Sequence, residues 1–288
     1  MNRNSVKITR LKHSFIFLFV SLSFFSCTTT QSDSTFTQYD ESSILPAKIT
    51  WQNVNDNLGY FSFIDESIPL IYHCIKVNLG TPDLTIKTFP SSEKDLTKSL
   101  FPKEFAKKTD SFISINTSPF KKTIFSSAEI VGIHKTDNTI LSKPVNRYSA
   151  LVFFKEPNGY RAEILENQIE KKIDEFDYAF GGFFSILNDG NIKQFSYKSR
   201  NSRTAVGVDK EGKTLFILVV EGENKRKSTG LSYPESAIIL KKIGAVNAMQ
   251  MDGGNSSSLY VNKKNFLSYK KFTRQPAFLG FSFCNRDE

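Results

Sequence analysis

Near its C-terminus the chain reads Met249-Gln250-Met251-Asp252-Gly253-Gly254-Asn255-Ser256-Ser257-Ser258-Leu259-Tyr260. An apolar run ends on one carboxylate, two glycines and a run of hydroxyls. Glycine lets the backbone turn sharply and leaves space beside it. A carboxylate at a strand end, next to free N–H groups and hydroxyls, can hold a polar ligand. Asp-Gly and Gly-Gly are also hairpin signals, so this segment alone reads equally as a turn.

Other segments carry groups of the same kind. Phe112 to Ile115 is an apolar run that ends on Asn116. Gly181-Gly182 precedes Asn188-Asp189-Gly190, Arg203-Thr204-Ala205-Val206-Gly207 leads into a hairpin, and Thr273-Arg274-Gln275-Pro276 precedes the last strand. A planar guanidinium grips phosphate or carboxylate in a bidentate way. Arg203 and Arg274 are therefore clamp candidates, with structural salt bridges as the alternative. Glu221 is a candidate second carboxylate, or a strand end paired with Lys225 or Arg226. Ser256 and Ser257 offer hydroxyl donors. A serine nucleophile among them lacks a nearby base.

These groups need elements to position them. Apolar or alternating runs predict strands at Leu70 to Leu79, Leu84 to Phe89, Phe112 to Ile115, Lys213 to Val220 and Val246 to Met251. Ser149 to Phe154 and Tyr160 to Ile164 predict a hairpin around Asn158-Gly159. Lys103 to Lys108 and the charged stretch Ile169 to Phe176 read as helices. The best-defined helix starts at Ser232. Ser232-Tyr233-Pro234-Glu235 is a capping box, which accounts for Glu235 without any ligand. Ala237, Ile238, Leu240 and Ile243 give it an apolar face, and Gly244 is its stop. Asp252 then falls at the C-terminal end of a strand, where ligand-binding residues often cluster. The fold class expected is α+β: one domain of mixed, largely antiparallel sheets flanked by a few helices, preceded by a signal peptide.

Arg3, Lys7, Arg10 and Lys12 precede an apolar stretch from Phe15 to Phe25, the pattern of a secretory signal too short to span a bilayer. Ser26-Cys27 resembles a bacterial lipoprotein cleavage site, making Cys27 the lipidation candidate. The expected division is a leader at 1–26, a Ser/Thr-rich tether at 27–45 and a domain at 46–288. The formal charge of +9 falls to +5 without the leader, because 34 basic residues then face 29 acidic ones. Neither the charge nor any motif argues for nucleic acid. Outside the leader the histidines are His73 and His134 and the cysteines below Cys27 are Cys74 and Cys284. That sparse set disfavours a zinc site or a His-based triad. It leaves open whether the two cysteines pair.

Taken in order, these segments resemble the phosphodiester glycosidase family over about residues 110 to 286. That family has a strand ending in Asn-Ala/Gly-Gly-x-Phe, a Gly-Gly segment and Arg-Thr-Ala-Ile-Gly. A strand ending in Asp-Gly, a helix opened by Gly-x-Thr-x-x-Glu, and Asn-Leu-Asp-Gly-Gly-Gly-Ser-Ser follow. The matching stretches here are Asn116-Thr117-Ser118-Pro119-Phe120, Gly181-Gly182, Arg203 to Gly207, Glu221-Gly222, Gly230 to Glu235 and Gln250 to Ser257. Departures are Thr117-Ser118-Pro119 in place of the small run, Glu221 for Asp, Glu223 for Arg and Asn255 for a third glycine.

The resemblance implies a glycoside hydrolase acting on phosphodiester-linked sugars of the N-acetylglucosamine-1-phosphate type. Asp252, Arg203 and Glu221 would be catalytic. Asn116, Gly182, Gly253, Gly254, Ser256, Ser257, Arg274 and Glu235 would bind substrate. Expulsion of a phosphate monoester reduces the need for a strong general acid, so one carboxylate and one cation suffice. No cofactor is required; a divalent cation at Asp252 is conceivable, although clustered carboxylates are missing. The expected protein is a monomer, exported and lipid-anchored in a bacterial envelope, with a sugar-phosphate or glycan substrate. The alternative is a glycan-binding lipoprotein that keeps the pocket without turnover.

Overall fold

A computed structural model describes residues 41–122, 128–137, 139–269 and 273–284. The leader and Cys27 lie outside them, and the described residues fall in one compact unit, 39–288. The strands are β1 (Gln52–Asn55), β2 (Leu58–Asp65), β3 (Leu70–Asn78), β4 (Leu84–Phe89), β5 (Ile113–Asn116), β6 (Phe120–Lys122), β7 (Ala128–Ile130), β8 (His134–Thr136), β9 (Thr139–Ser142) and β10 (Ala150–Glu156). They continue as β11 (Gly159–Leu165), β12 (Tyr178–Gly181), β13 (Ser185–Asn188), β14 (Asn191–Ile192), β15 (Arg203–Val208), β16 (Thr214–Val220), β17 (Asn247–Gln250), β18 (Leu259–Val261), β19 (Lys264–Asn265) and β20 (Phe278–Phe283). Among the described residues two α-helices accompany them, α1 (Pro102–Lys108) and α2 (Tyr233–Lys242).

The main sheet has eight strands in the order β1-β2-β3-β16-β15-β17-β13-β14. A second sheet runs β11-β10-β12-β8-β9 and a third runs β19-β18-β5-β20-β4. β6 and β7 form a separate hairpin. Every strand pair among the described residues is antiparallel, as in β3 with β16 or β5 with β20. β16 is apolar along its length because both its faces are covered. One face meets the other two sheets, where Ile217, Val206 and Met249 pack with Ile115, Phe281 and Phe153. The opposite face takes α2, with Leu218, Val220 and Ala205 against Ala237, Ile239 and Leu240.

Helix α2 begins as its capping box dictates. The Ser232 hydroxyl accepts from the Glu235 N–H, and the Glu235 carboxylate accepts from the Ser232 N–H at 2.8 Å. Gly244 closes the helix in the left-handed region at φ 116°. Helix α1 anchors through Phe105, stacked on Phe278 with ring centroids 5.0 Å apart.

Two expectations fail. Ile169 to Phe176 is not a helix; it holds only a 3-10 turn at Ile173–Glu175. Ile173 and Phe176 turn into a small core. Buried Lys135 takes the carbonyls of both, at 2.8 and 2.6 Å, which ties the segment to β8. The domain also starts before residue 46. Ile44 is fully buried and its carbonyl accepts from the Tyr72 hydroxyl at 2.9 Å. Cys74 and Cys284 are both free thiols, the first in the core and the second exposed.

Candidate functional site

The Asp252 segment is not a hairpin. β17 before it belongs to the main sheet and β18 after it to the third sheet, so the glycines form a corner between layers. Backbone bonds fix that corner: Met251 N–H donates to Thr204, Asp252 N–H to Thr117 at 2.8 Å, and Gly254 N–H to Ser202 at 2.8 Å. Gly254 to Ser256 then makes a 3-10 turn. Gly254 has φ 57°, which favours glycine, and open space where a side chain would stand. Asp252 itself is partly exposed at the corner.

Asn116 closes the corner from the third sheet. Its Nδ2 donates to the Asp252 carbonyl at 2.6 Å. Its Oδ1 accepts from the Thr204 hydroxyl and the Ser258 N–H, each at 2.9 Å. One amide therefore ties β5, β15 and both sides of the corner. At 1% exposure it orients the loop from inside, and its sugar contact is not visible in this geometry.

Around the corner lies a set of buried polar atoms with no hydrogen-bond partner in the protein: Thr117 Oγ1, Ser118 Oγ, Ser257 Oγ and Gln250 Oε1. Such atoms are rare and are completed by ordered water or ligand. Ser256 is partly exposed, and its carbonyl accepts from Gln275 at 2.6 Å. Residues 273–275 thus lie against the corner, with the Thr273 hydroxyl donating to Asn255.

Several candidates are engaged elsewhere. The Gly182 backbone packs so tightly on β17 that a side chain would stand 2.6 Å from the Gln250 carbonyl. What comes close to Gly182 is therefore the protein itself, the Gln250 carbonyl and the Met249 and Met251 side chains. Arg274 turns outward to Glu104 at 3.1 Å and the Ser99 carbonyl at 2.8 Å. Glu235 completes the helix cap and pairs with Arg200, whose Nε sits 3.0 Å from its Oε1.

Arg203 and Glu221 project to opposite faces of the main sheet. Arg203 pairs with Val220, whose side chain lies on the α2 face, so Glu221 alternates to the other face. The Arg203 guanidinium donates to the Leu231 and Ser199 carbonyls, both at 2.9 Å, and lies 3.9 Å over Tyr233. Burial lowers its pKa, against the opposing pull of Tyr233, Tyr197 and Glu235. It reaches the corner through its backbone: its Cα lies 3.6 Å from where a Gly253 Cβ would be. Glu221 is held by His73 and Ser268. Burial pushes its carboxyl up, but those hydrogen bonds outweigh it and the net shift is down. Among the described residues, no group of three or more His, Cys, Asp or Glu side chains could hold a metal ion.

Sequence reasoning passed over Thr117, Ser118, Ser202, Thr204, Gln250 and Ser258, which build the corner. The one available signal was alternation, which puts Thr204 on the face opposite Arg203.

The phosphodiester glycosidase family profile (NAGPA) matches residues 109–280, more than half of the chain. The chain belongs to the phosphodiester glycosidase family. That match spans the whole Asn116–Asp252 corner. No curated protein matches the chain significantly. Among solved structures, a hypothetical protein from Synechocystis superposes with TM-score 0.60 at 13% identity, over 82% of this chain and 64% of that one. The chain thus spans less than two thirds of the Synechocystis protein. The zebrafish N-acetylglucosamine-1-phosphodiester alpha-N-acetylglucosaminidase catalytic domain, auto-inhibited by its pro-peptide, gives 0.59 at 18% identity, over 82% and 86%. An exported protein from Burkholderia pseudomallei gives 0.57 at 12% identity, over 74% of each chain. At such identities these likenesses show the fold.

The two buried glutamates set an acid limit on stability. The Glu235 pKa lies below its ordinary 4.5: burial raises it, and Arg200 and Ser232 more than reverse that. A lowered folded pKa contributes stability that is present above the unfolded value and is lost as pH falls through the folded value. Thermal melts are expected to drop below about pH 4.5, the range set by unfolded glutamate. Glu235→Gln should lower the neutral-pH melting temperature and flatten that drop. An unchanged pH profile in the variant would contradict this.

Proposed function

We propose that this family member hydrolyses the glycosidic bond of a sugar-1-phosphodiester, of the N-acetylglucosamine-1-phosphate type, in an envelope or extracellular glycan. The observation that carries the reading is the Asn116 amide bonded to the Asp252 carbonyl at 2.6 Å, which fixes a partly exposed aspartate at a glycine corner. Asp252 activates water at the anomeric carbon or stabilises its oxocarbenium-like state. The phosphate monoester leaves with little help because its charge is already delocalised. Ser256 holds sugar or phosphate oxygens, and Ser257, Thr117 and Ser118 complete that shell. Arg203 backs the corner through its main chain, with its guanidinium on the α2 face.

The protein acts at the cell envelope, exported by its leader and held by a lipid on Cys27. Cys27→Ser should move it from the membrane fraction to the soluble one; a wild-type protein that is wholly soluble would overturn the anchor. The reaction is tested by measuring reducing sugar released from a panel of sugar-1-phosphodiesters. Release from the N-acetylglucosamine diester is expected. Glycan binding with no release from any diester would favour the non-catalytic alternative.

A further inference from the structure

Glu221 is buried and held in a defined geometry. His73 Nε2 lies 3.1 Å from its Oε1. The Ser268 N–H donates to Oε1 at 2.8 Å, and the Ser268 hydroxyl donates to Oε2. On the other side of the ring, His73 Nδ1 lies 2.8 Å from the Ser62 hydroxyl. With Nε2–H donating to the carboxylate, Nδ1 is left as the acceptor for the Ser62 proton. Phe266 packs edge-on to the imidazole at 5.2 Å and fixes its plane. His73 and Glu221 are 5% and 2% exposed, whereas Ser62 is exposed.

The register explains this arrangement. The Glu221 N–H donates to the Ile71 carbonyl. Antiparallel alternation then turns the backbone of His73 toward β16 and that of Tyr72 toward β2. Ser62 sits directly opposite His73 in a non-hydrogen-bonded pair, where side chains approach most closely. The Ser62 N–H therefore points to the outer edge of β2, and pairing with β1 ends at Tyr60. A nucleophile with its own N–H directed to an open edge has a donor for a developing oxyanion. Ile64, two residues along the same face and 65% exposed, provides an apolar shelf beside it.

From this geometry we infer that Ser62, His73 and Glu221 form a second hydrolytic site, which cleaves short-chain carboxylic esters. Ser62 Oγ bonds to the ester carbonyl carbon while its proton passes to His73 Nδ1. The alcohol leaves with that proton, giving an acyl-Ser62. Water, deprotonated by His73, then attacks the acyl carbon and releases the carboxylic acid and free Ser62. Glu221 is the positioning residue that fixes the imidazole tautomer.

The test uses the full chain with a fluorophosphonate probe, which loses fluoride as Ser62 Oγ bonds to phosphorus, and with p-nitrophenyl acetate. The label should map to Ser62 by peptide mass spectrometry. Labelling and acetate turnover should vanish in Ser62→Ala, with its melting temperature unchanged. They should fall at least tenfold in His73→Gln, on the order of what a lost general base costs. Glu221→Gln should lower kcat for the acetate and leave KM in place. A wild-type protein carrying no label on Ser62, or turnover that persists in Ser62→Ala, would overturn the site.

Discussion

Asp252→Asn should cut sugar release from an N-acetylglucosamine-1-phosphodiester by about a thousandfold, within the range for loss of a positioned acid or base. The fold should hardly notice. The two main-chain bonds of Asp252, from its N–H to Thr117 and from Asn116 to its carbonyl, do not involve the carboxylate. Asn is also nearly isosteric with Asp, so the corner keeps its shape. The expected result is a kcat defect with a melting temperature within a few degrees of wild type. Comparable activity in the two proteins would remove Asp252 from the chemistry. A large loss of stability would instead make it a structural turn residue.

The second large effect is expected at Asn116. Asn116→Ala leaves the Thr204 hydroxyl and the Ser258 N–H, both buried, and the part-buried Asp252 carbonyl without this partner. Orphaned buried groups cost about 1–3 kcal/mol each, and here they share one site, so a total of about 2–4 kcal/mol is reasonable. For a domain of this size that is a fall of roughly 5–15 °C in melting temperature. Activity should fall with it, even well below the melt, because the carbonyl that fixes Asp252 is released. Thermal melts paired with sugar-release kinetics at 20 °C check both parts. Full activity with a lowered melting temperature would make Asn116 a stability residue only.

What the sequence disclosed and what it concealed follow the range of the interactions. β3, β4 and β16 were legible because their apolar runs are local. Helix α2 was legible because Ser232 and Glu235 lie three residues apart and satisfy each other. The Asp252 segment taken alone left a hairpin open, since a change of sheet leaves no mark in neighbouring residues. Ile169 to Phe176 was misread because the lysine that holds it, Lys135, comes from another strand. Asn116 stands out in the sequence as the polar end of an apolar run, but its partners at 204, 252 and 258 can be seen only once the strands meet. The sparse histidines argued against a His-based triad. Yet His73 stands between Ser62 and Glu221, the latter 148 residues away. Arg203 and Glu221 were grouped by family order, whereas strand pairing sends them to opposite faces of one sheet.

The central claim is hydrolysis at the sugar carbon rather than at phosphorus. It is tested most directly by running the reaction in ¹⁸O-labelled water and weighing both products by mass spectrometry. Attack at the anomeric carbon predicts the label in the released sugar and an unlabelled phosphate monoester. Label on the phosphate group, with unlabelled sugar or alcohol released, would contradict the account.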